Sequence, residues 1–231
     1  MIEEIRAKSR IGTFDSVFFD VDVDVKEQGK PVRTISKTLT FKEFVKWLSG
    51  SLREKKEIAY CPVGRIPAGY VDALISSEGA FYIAVRTPMA KRQVIYMGHP
   101  MFCAYPPLIF MLHINADGTL TKASCFALKE TEVKEDTLLW QYPYGHVSKE
   151  GSICMGSVPK NNLHGLASAE KVIENFFLGE DQGHSYRNDF TLLKVSLGEL
   201  FSITEKAETF PLQYLAGGNT TFKDEWKNFK N

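Results

Sequence analysis

The sequence predicts an α+β protein in which short antiparallel strands lead up to a cysteine-bearing loop and helices follow it. Three observations predict this. Apolar and polar residues alternate with a period of two through much of the first half, broken by Gly and Pro. The stretch from Tyr142 to Gly156 is too polar and glycine-rich to be core. Beyond it, Val172, Ile173, Phe176 and Phe177 form an apolar stripe at helical spacing.

The alternation is plainest from Thr13 to Val25, where Phe14, Val17, Phe19, Val21, Val23 and Val25 interleave with Asp15, Asp20, Asp22 and Asp24. This predicts a half-buried strand with a solvated acidic face. The aspartates lack the glycine and terminal glutamate of a calcium loop. Gln28-Gly29-Lys30-Pro31 turns the chain into a second strand, Val32 to Leu39. Thr40 and Glu43 have the spacing of a capping box, which predicts a helix from Phe41 to Leu52. Three strands are expected over Ile58 to Ile66, Gly79 to Thr87 and Gln93 to Met97, with Arg86, Lys91 and Arg92 as a small basic cluster between the last two. Ala116-Asp117-Gly118 closes a hairpin between Leu108–Asn115 and Thr119–Leu128. Trp140, Tyr142 and Tyr144 are suited to packing the following loop onto the sheet. Ser168 is the expected cap of a helix from Ala169 to Leu178, ended by Gly179. The segment Asp189 to Leu200 reads equally as strand or helix. Phe222, Trp226 and Phe229 give the tail roughly helical spacing, so it is expected to dock back on the body.

Composition narrows the function. With 231 residues, 44% hydrophobic, and 16 Phe, the chain has enough apolar material for one large domain or two small ones. Lys+Arg and Asp+Glu are 28 each, so no basic field is present for generic nucleic-acid binding. The first residues lack the order of a signal peptide, and the apolar run Pro106 to Leu112 is far short of a membrane span. A cytoplasmic protein with no membrane partner is expected. Cys61, Cys103, Cys125 and Cys154 form no CxxC pair, so neither zinc nor a disulfide framework is expected.

Cys154 stands apart from the other cysteines. Cys125 lies in the apolar run Ala123 to Leu128, as a space-filling cysteine does. Cys154 follows the turn Lys149-Glu150-Gly151 and precedes Gly156, a setting that exposes a thiol and pins it. Those are the needs of a nucleophile. His113, within an apolar strand, reads as a strand-face histidine.

The same loop resembles the active-site segment of ubiquitin-conjugating (E2) enzymes, which runs His-Pro-Asn, a short turn, then Asn-Gly-X-Ile/Val-Cys. Gly151-Ser152-Ile153-Cys154 keeps the ending, and the residue eight before the cysteine is His146, so Tyr144-Gly145-His146 stands in place of the tripeptide. Kept spacing with a changed tripeptide is most similar to the prokaryotic E2-like proteins of the PRTRC cassettes, the protein B family. Their motif is Tyr-Gly-Asn-Val, a turn, and Gly-X-Val-Cys. Asn175-Phe176-Phe177 through His184 resembles a second segment of that family.

The resemblance implies an E2/UBC-like antiparallel sheet with flanking helices over residues 76–231, preceded by an α+β extension over 1–75. It implies Cys154 as the thiol that carries a ubiquitin-like protein as a thioester, with His146 in the asparagine's place and Tyr144, Gly151 and His184 in support. The implied partners are the ubiquitin-like protein, an E1/ThiF-like activating enzyme and a JAB-type peptidase. No metal or organic cofactor is required. At His146 two roles stand open: a hydrogen-bond donor to the oxyanion, or a base, which asparagine cannot be. Two other functions also stand. An E2-like module without activity would only bind the ubiquitin-like protein, as the missing asparagine suggests. A Cys-His hydrolase would pair Cys154 with His164 or His184, although this segment lacks the helix-opening context of papain-like nucleophiles.

Overall fold

The computed structural model describes residues 2–11, 17–27, 30–40, 42–43, 64–156 and 160–231. The chain divides into two compact units, Met1–Ala59 and Tyr60–Asn231.

The first unit holds an antiparallel meander of β1 (Ile2–Ile11), β2 (Val17–Glu27) and β3 (Lys30–Thr40), in the order β1-β2-β3. The expected Thr13–Val25 strand is described from Val17 and runs on to Glu27, residues 12–16 lying outside the described set. β1 was not anticipated. Its register sets Lys8 opposite Asp20 and Arg6 opposite Asp22, but Glu4 opposite Asp24. Pro31 sits on the edge strand, where a missing N–H is tolerated. The capping box forms: the Thr40 backbone N–H donates to Glu43 Oε2 at 3.0 Å and the Glu43 N–H to Thr40 Oγ1 at 3.4 Å. Only Lys42 and Glu43 of the expected helix are described, and its remainder lies outside.

The second unit is built on a six-stranded sheet in the order β12-β10-β9-β8-β5-β4. Its strands are β4 (Tyr70–Ile75), β5 (Phe81–Thr87), β8 (Leu108–Ile114), β9 (Leu120–Ala127), β10 (Leu138–Trp140) and β12 (Gly217–Thr221). A smaller sheet joins β6 (Ala90–Tyr96) to β7 (His99–Tyr105) and to the two-residue β11 (Glu180–Asp181). β4, β7 and β10 were not anticipated. The expected strand at Ile58–Ile66 is corrected where it is described: Gly64, Arg65 and Ile66 are not strand, and residues 58–63 lie outside.

β8 explains the architecture. Leu108-Ile109-Phe110-Met111-Leu112 is a continuous apolar run because both faces of the sheet are covered. On one face Ile83, Val85, Phe110, Leu112 and Cys125 pack against two helices, α1 (Ser168–Leu178) and α2 (Leu197–Lys206). On the other, Ala84, Ile109, Met111 and Phe126 meet α3 (Phe222–Lys230).

Two capping expectations need correction. Ser168 is not the N-cap of α1; Ala167 holds that position and the Ser168 hydroxyl donates to the Gly165 carbonyl at 2.8 Å. Gly179 does end the helix, but with extended rather than left-handed backbone. Asp189–Leu200 is neither simple alternative: a 3-10 turn at Asn188–Phe190 is followed by a bend, and α2 opens on a Ser196–Glu199 capping box. The basic cluster also dissolves. Lys91 Nζ donates to the Glu205 carbonyl at 2.8 Å, while Arg92 turns inward over the Phe177 ring, 4.2 Å from its centroid. Desolvation there lowers the Arg92 pKa.

α3 shows how a polar tail is held. Phe222, Trp226 and Phe229 are its buried face, and Trp226 Nε1–H donates to Asp72 Oδ2 of β4 at 2.7 Å. Trp226→Phe would leave that carboxylate oxygen without its donor and the ring site underfilled. A loss of about 1–3 kcal/mol is expected in denaturant unfolding. An unchanged midpoint would mean that the indole bond contributes nothing.

Candidate active site

The Cys154 loop is a hairpin laid along a free sheet edge. β10 pairs with β9 only at Trp140↔Ala127, which leaves the rest of that β9 edge unpaired by a strand. Residues 151–153 fill it: the Cys125 N–H donates to the Gly151 carbonyl at 2.8 Å and the Ile153 N–H to the Ala123 carbonyl at 2.9 Å. The other arm is held by the Val147↔Ile153 bridge and by Ser148 N–H donating to the Ser152 carbonyl at 2.8 Å. The turn between needs Gly151, whose φ is +84° and whose absent Cβ would lie 2.1 Å from the Phe126 ring. Cys154 leaves this arm with its thiol exposed, and its backbone N–H donates to the His146 carbonyl at 2.7 Å.

His146 has a φ of +66°, uncommon for a residue with a side chain. Its surroundings over-determine that conformation. Its N–H donates to the His184 carbonyl at 2.8 Å, its own carbonyl accepts from Cys154, and its ring Nε2 lies 2.7 Å from the Glu180 carbonyl. Below it sits Asp181, only 3% exposed. One carboxylate oxygen accepts from the Gly145 N–H at 3.0 Å, and the other accepts from the Gly183 N–H at 2.9 Å while lying 3.9 Å from His146 Nε2. Gly145 has to be glycine here, since a Cβ would come within 2.2 Å of Asp181 Oδ1.

A cleft of about 300 Å³ opens over this arrangement, lined by Cys154, His146, Met155, Glu180, Gln182 and His184 among others. The other expected residues stand outside it. Tyr144 is fully buried, its hydroxyl donating to the Ala104 carbonyl at 2.5 Å and its ring stacked on Phe201 at 4.9 Å. Burial pushes its phenol well above the ordinary range. Its place is beneath the loop, as an anchor. His164 packs at the β8–β9 turn, against Gly118. His113 stacks on Tyr82 with ring centroids 4.0 Å apart and bonds Thr121 through Nδ1.

Sequence reasoning missed Asp181. Glu180-Asp181-Gln182-Gly183 reads as a polar loop after a helix, and burial of its aspartate follows only from the parallel pairing Glu180↔Ile95 and Asp181↔Tyr96. The available signal was Gly183 two residues on, which suits the aspartate's turn-forming bond to that amide.

The cysteines differ sharply. Cys103 and Cys125 are buried, and desolvation raises both thiol pKa values, Cys125 the more. Alkylation of the folded protein is therefore expected to label Cys154 well before either. Cys61 lies outside the described residues, and faster labelling there would move the nucleophile assignment.

Among the described residues no helix is long and apolar enough to cross a membrane, and no group of three or more His, Cys, Asp or Glu is set to hold a metal ion. A mixed α+β fold with a curled antiparallel sheet, leading into this cysteine loop, is the fold of an E2-like protein. The chain belongs to prokaryotic E2 family D, whose model matches residues 57–197, well over half of it. No curated protein and no solved structure matches.

Proposed function

We propose that this protein is a carrier: Cys154 accepts a ubiquitin-like protein as a thioester and passes it to an amine. The observation that carries the reading is an exposed thiol at the end of a pinned hairpin, opening on the same cleft as His146. The Cys154 thiolate attacks the thioester that joins the ubiquitin-like protein's terminal carbonyl to an activating enzyme. A carbon–sulfur bond forms as another breaks, and the activating enzyme leaves as its thiol. An amine then takes the acyl group, releasing Cys154. Nothing in this sequence needs a metal or an organic cofactor. The partners are the ubiquitin-like protein and an E1/ThiF-like enzyme, with a JAB-type peptidase as a third. The likeness to PRTRC protein B makes the neighbouring genes the place to look for them.

The hydrogen-bond geometry disfavours hydrolase chemistry. Serine and cysteine hydrolases commonly use backbone amides at the nucleophile as oxyanion donors. Here the Cys154 N–H is committed to the His146 carbonyl, and of the two candidate histidines His184 lines the cleft but His164 does not. The competing binding-module reading rests on Tyr144-Gly145-His146 lacking the asparagine of the E2 tripeptide.

Incubation with the activating enzyme, ATP and the ubiquitin-like protein tests the proposal. A thiol-sensitive adduct on non-reducing gels is expected. Measurable binding without any adduct would leave the inert module as the better account.

A further inference from the structure

The two roles open to His146 depend on which ring nitrogen carries hydrogen. Nε2 lies 2.7 Å from the Glu180 carbonyl oxygen, and a carbonyl only accepts, so Nε2 holds a hydrogen whether the ring is neutral or charged. In the neutral ring the lone pair therefore lies on Nδ1, which makes no hydrogen bond among the described residues. A neutral imidazole of this tautomer keeps its acceptor nitrogen unengaged, while the donating Nε2–H is turned to Glu180. We infer that His146 is the general base of acyl transfer, acting through Nδ1, and that Asp181 is the positioning residue that holds the Gly145–His146 backbone and steadies the imidazolium.

This inference rests on the carrier reading above. As the amine nitrogen bonds to the thioester carbonyl carbon, its proton moves to Nδ1. The carbon–sulfur bond then breaks with its electron pair on Cys154 Sγ. The proton passes from the imidazolium to that thiolate, so thioester and amine become amide and thiol.

Asp181 is suited to its part because it is nearly enclosed. Two backbone amides hold its carboxylate in place, and Oδ1 lies 3.9 Å from the nitrogen that bears positive charge after proton transfer. Burial raises its pKa, while the Gly183 and Gly145 amides and the two histidines, His146 and His184, oppose that rise. The other titratable groups facing the pair are Glu180 and Cys154 around the cleft, and Tyr105 and Tyr142 behind Asp181, both phenols kept protonated by burial. An ionised Asp181 favours the charged ring. Removing that charge takes away a favourable interaction with the imidazolium formed during transfer.

The test follows discharge of preloaded Cys154 thioester to free lysine in single turnovers, over about pH 5 to 9. His146→Asn and His146→Ala should slow discharge alike, by about a hundredfold or more, since neither carries a base. Loading should fall far less. Asp181→Asn should slow discharge by about tenfold while loading stays near wild type. Near-native discharge by His146→Asn would restore the oxyanion-donor role and overturn the base. A native profile in Asp181→Asn would remove Asp181 from the account. Should that variant not fold, ring nitrogen couplings in the labelled wild type decide: hydrogen on Nε2 is expected, and a neutral ring with hydrogen on Nδ1 overturns the inference. The carrier reading fails separately, if wild-type Cys154 never loads.

Discussion

Cys154→Ala is expected to abolish the thiol-sensitive adduct, and Cys154→Ser to replace it with one that survives thiol reagent. These outcomes follow from the bond formed. A thioester exchanges readily with free thiols because a thiolate is a good leaving group, whereas an oxygen ester at the same atom does not. Alanine leaves no acceptor at all. The loss should be one of chemistry, since the Cys154 side chain is exposed and its backbone N–H, the group that closes the hairpin, is kept. Thermal stability of both variants should stay within about 0.5 kcal/mol of wild type. Cys103 and Cys125 are too deeply buried to take over. An adduct that persists in Cys154→Ala would mean the carrier thiol lies elsewhere in the chain.

The second large effect is expected at a residue with no chemistry. Gly151→Ala puts a methyl where the Phe126 ring already lies, at a φ of +84°. The backbone has little freedom to yield, because the Gly151 carbonyl is held by Cys125 and its N–H donates to the Ser148 carbonyl at 3.0 Å. Overpacking contributes about 1–3 kcal/mol and the left-handed backbone about 1–2, for a total of about 2–5 kcal/mol. In a chain of this size that lowers the melting temperature by about 5–15 °C. Gly156→Ala is the control: its φ is +49°, yet no atom of the described residues lies within 4 Å of the added methyl. It should cost only the backbone term. Equal melting temperatures for the two variants would show that Phe126 moves aside and the hairpin is looser than its bonds imply.

The sequence was legible wherever a segment faces one environment along its length. β8 reads as a strand buried on both sides because every position of Leu108–Leu112 is apolar. α3 reads as a docked helix because Phe222, Trp226 and Phe229 fall on one face. The turn at Lys149-Glu150-Gly151 was legible from its polar, glycine-ended sequence, but the pairing that makes its arms a hairpin was not. β4 and β7 escaped because they lack a regular pattern. β4 is an edge strand with no buried residue, and β7 is buried only in its last three, Cys103 to Tyr105. β10 is three residues long and carries no periodicity. The α2 start was readable, since Ser196 and Glu199 have capping-box spacing, and the ambiguity of the preceding segment hid it. Asp181 is a different kind of miss. Its neighbours in space, Gly145 and His146, are 36 and 35 positions away (181 − 145 and 181 − 146), so no local pattern announces the contact.

The cleft has a further consequence that comes from where its walls are fastened. The cysteine wall is stitched to β9 of the large sheet through residues 151–153, while Glu180 and Asp181 are paired to β6 of the small one. His146 is riveted to both, to Cys154 by its carbonyl, to His184 by its backbone N–H and to Glu180 by its ring Nε2. The site is thus a seam between two plates. A load on the small sheet, whose turn and outer strand expose Met97 and Phe102, acts first on Asp181 and the imidazole. The sulfur stays with the larger plate. On the carrier reading, a partner that gripped the small sheet would act on His146 before Cys154.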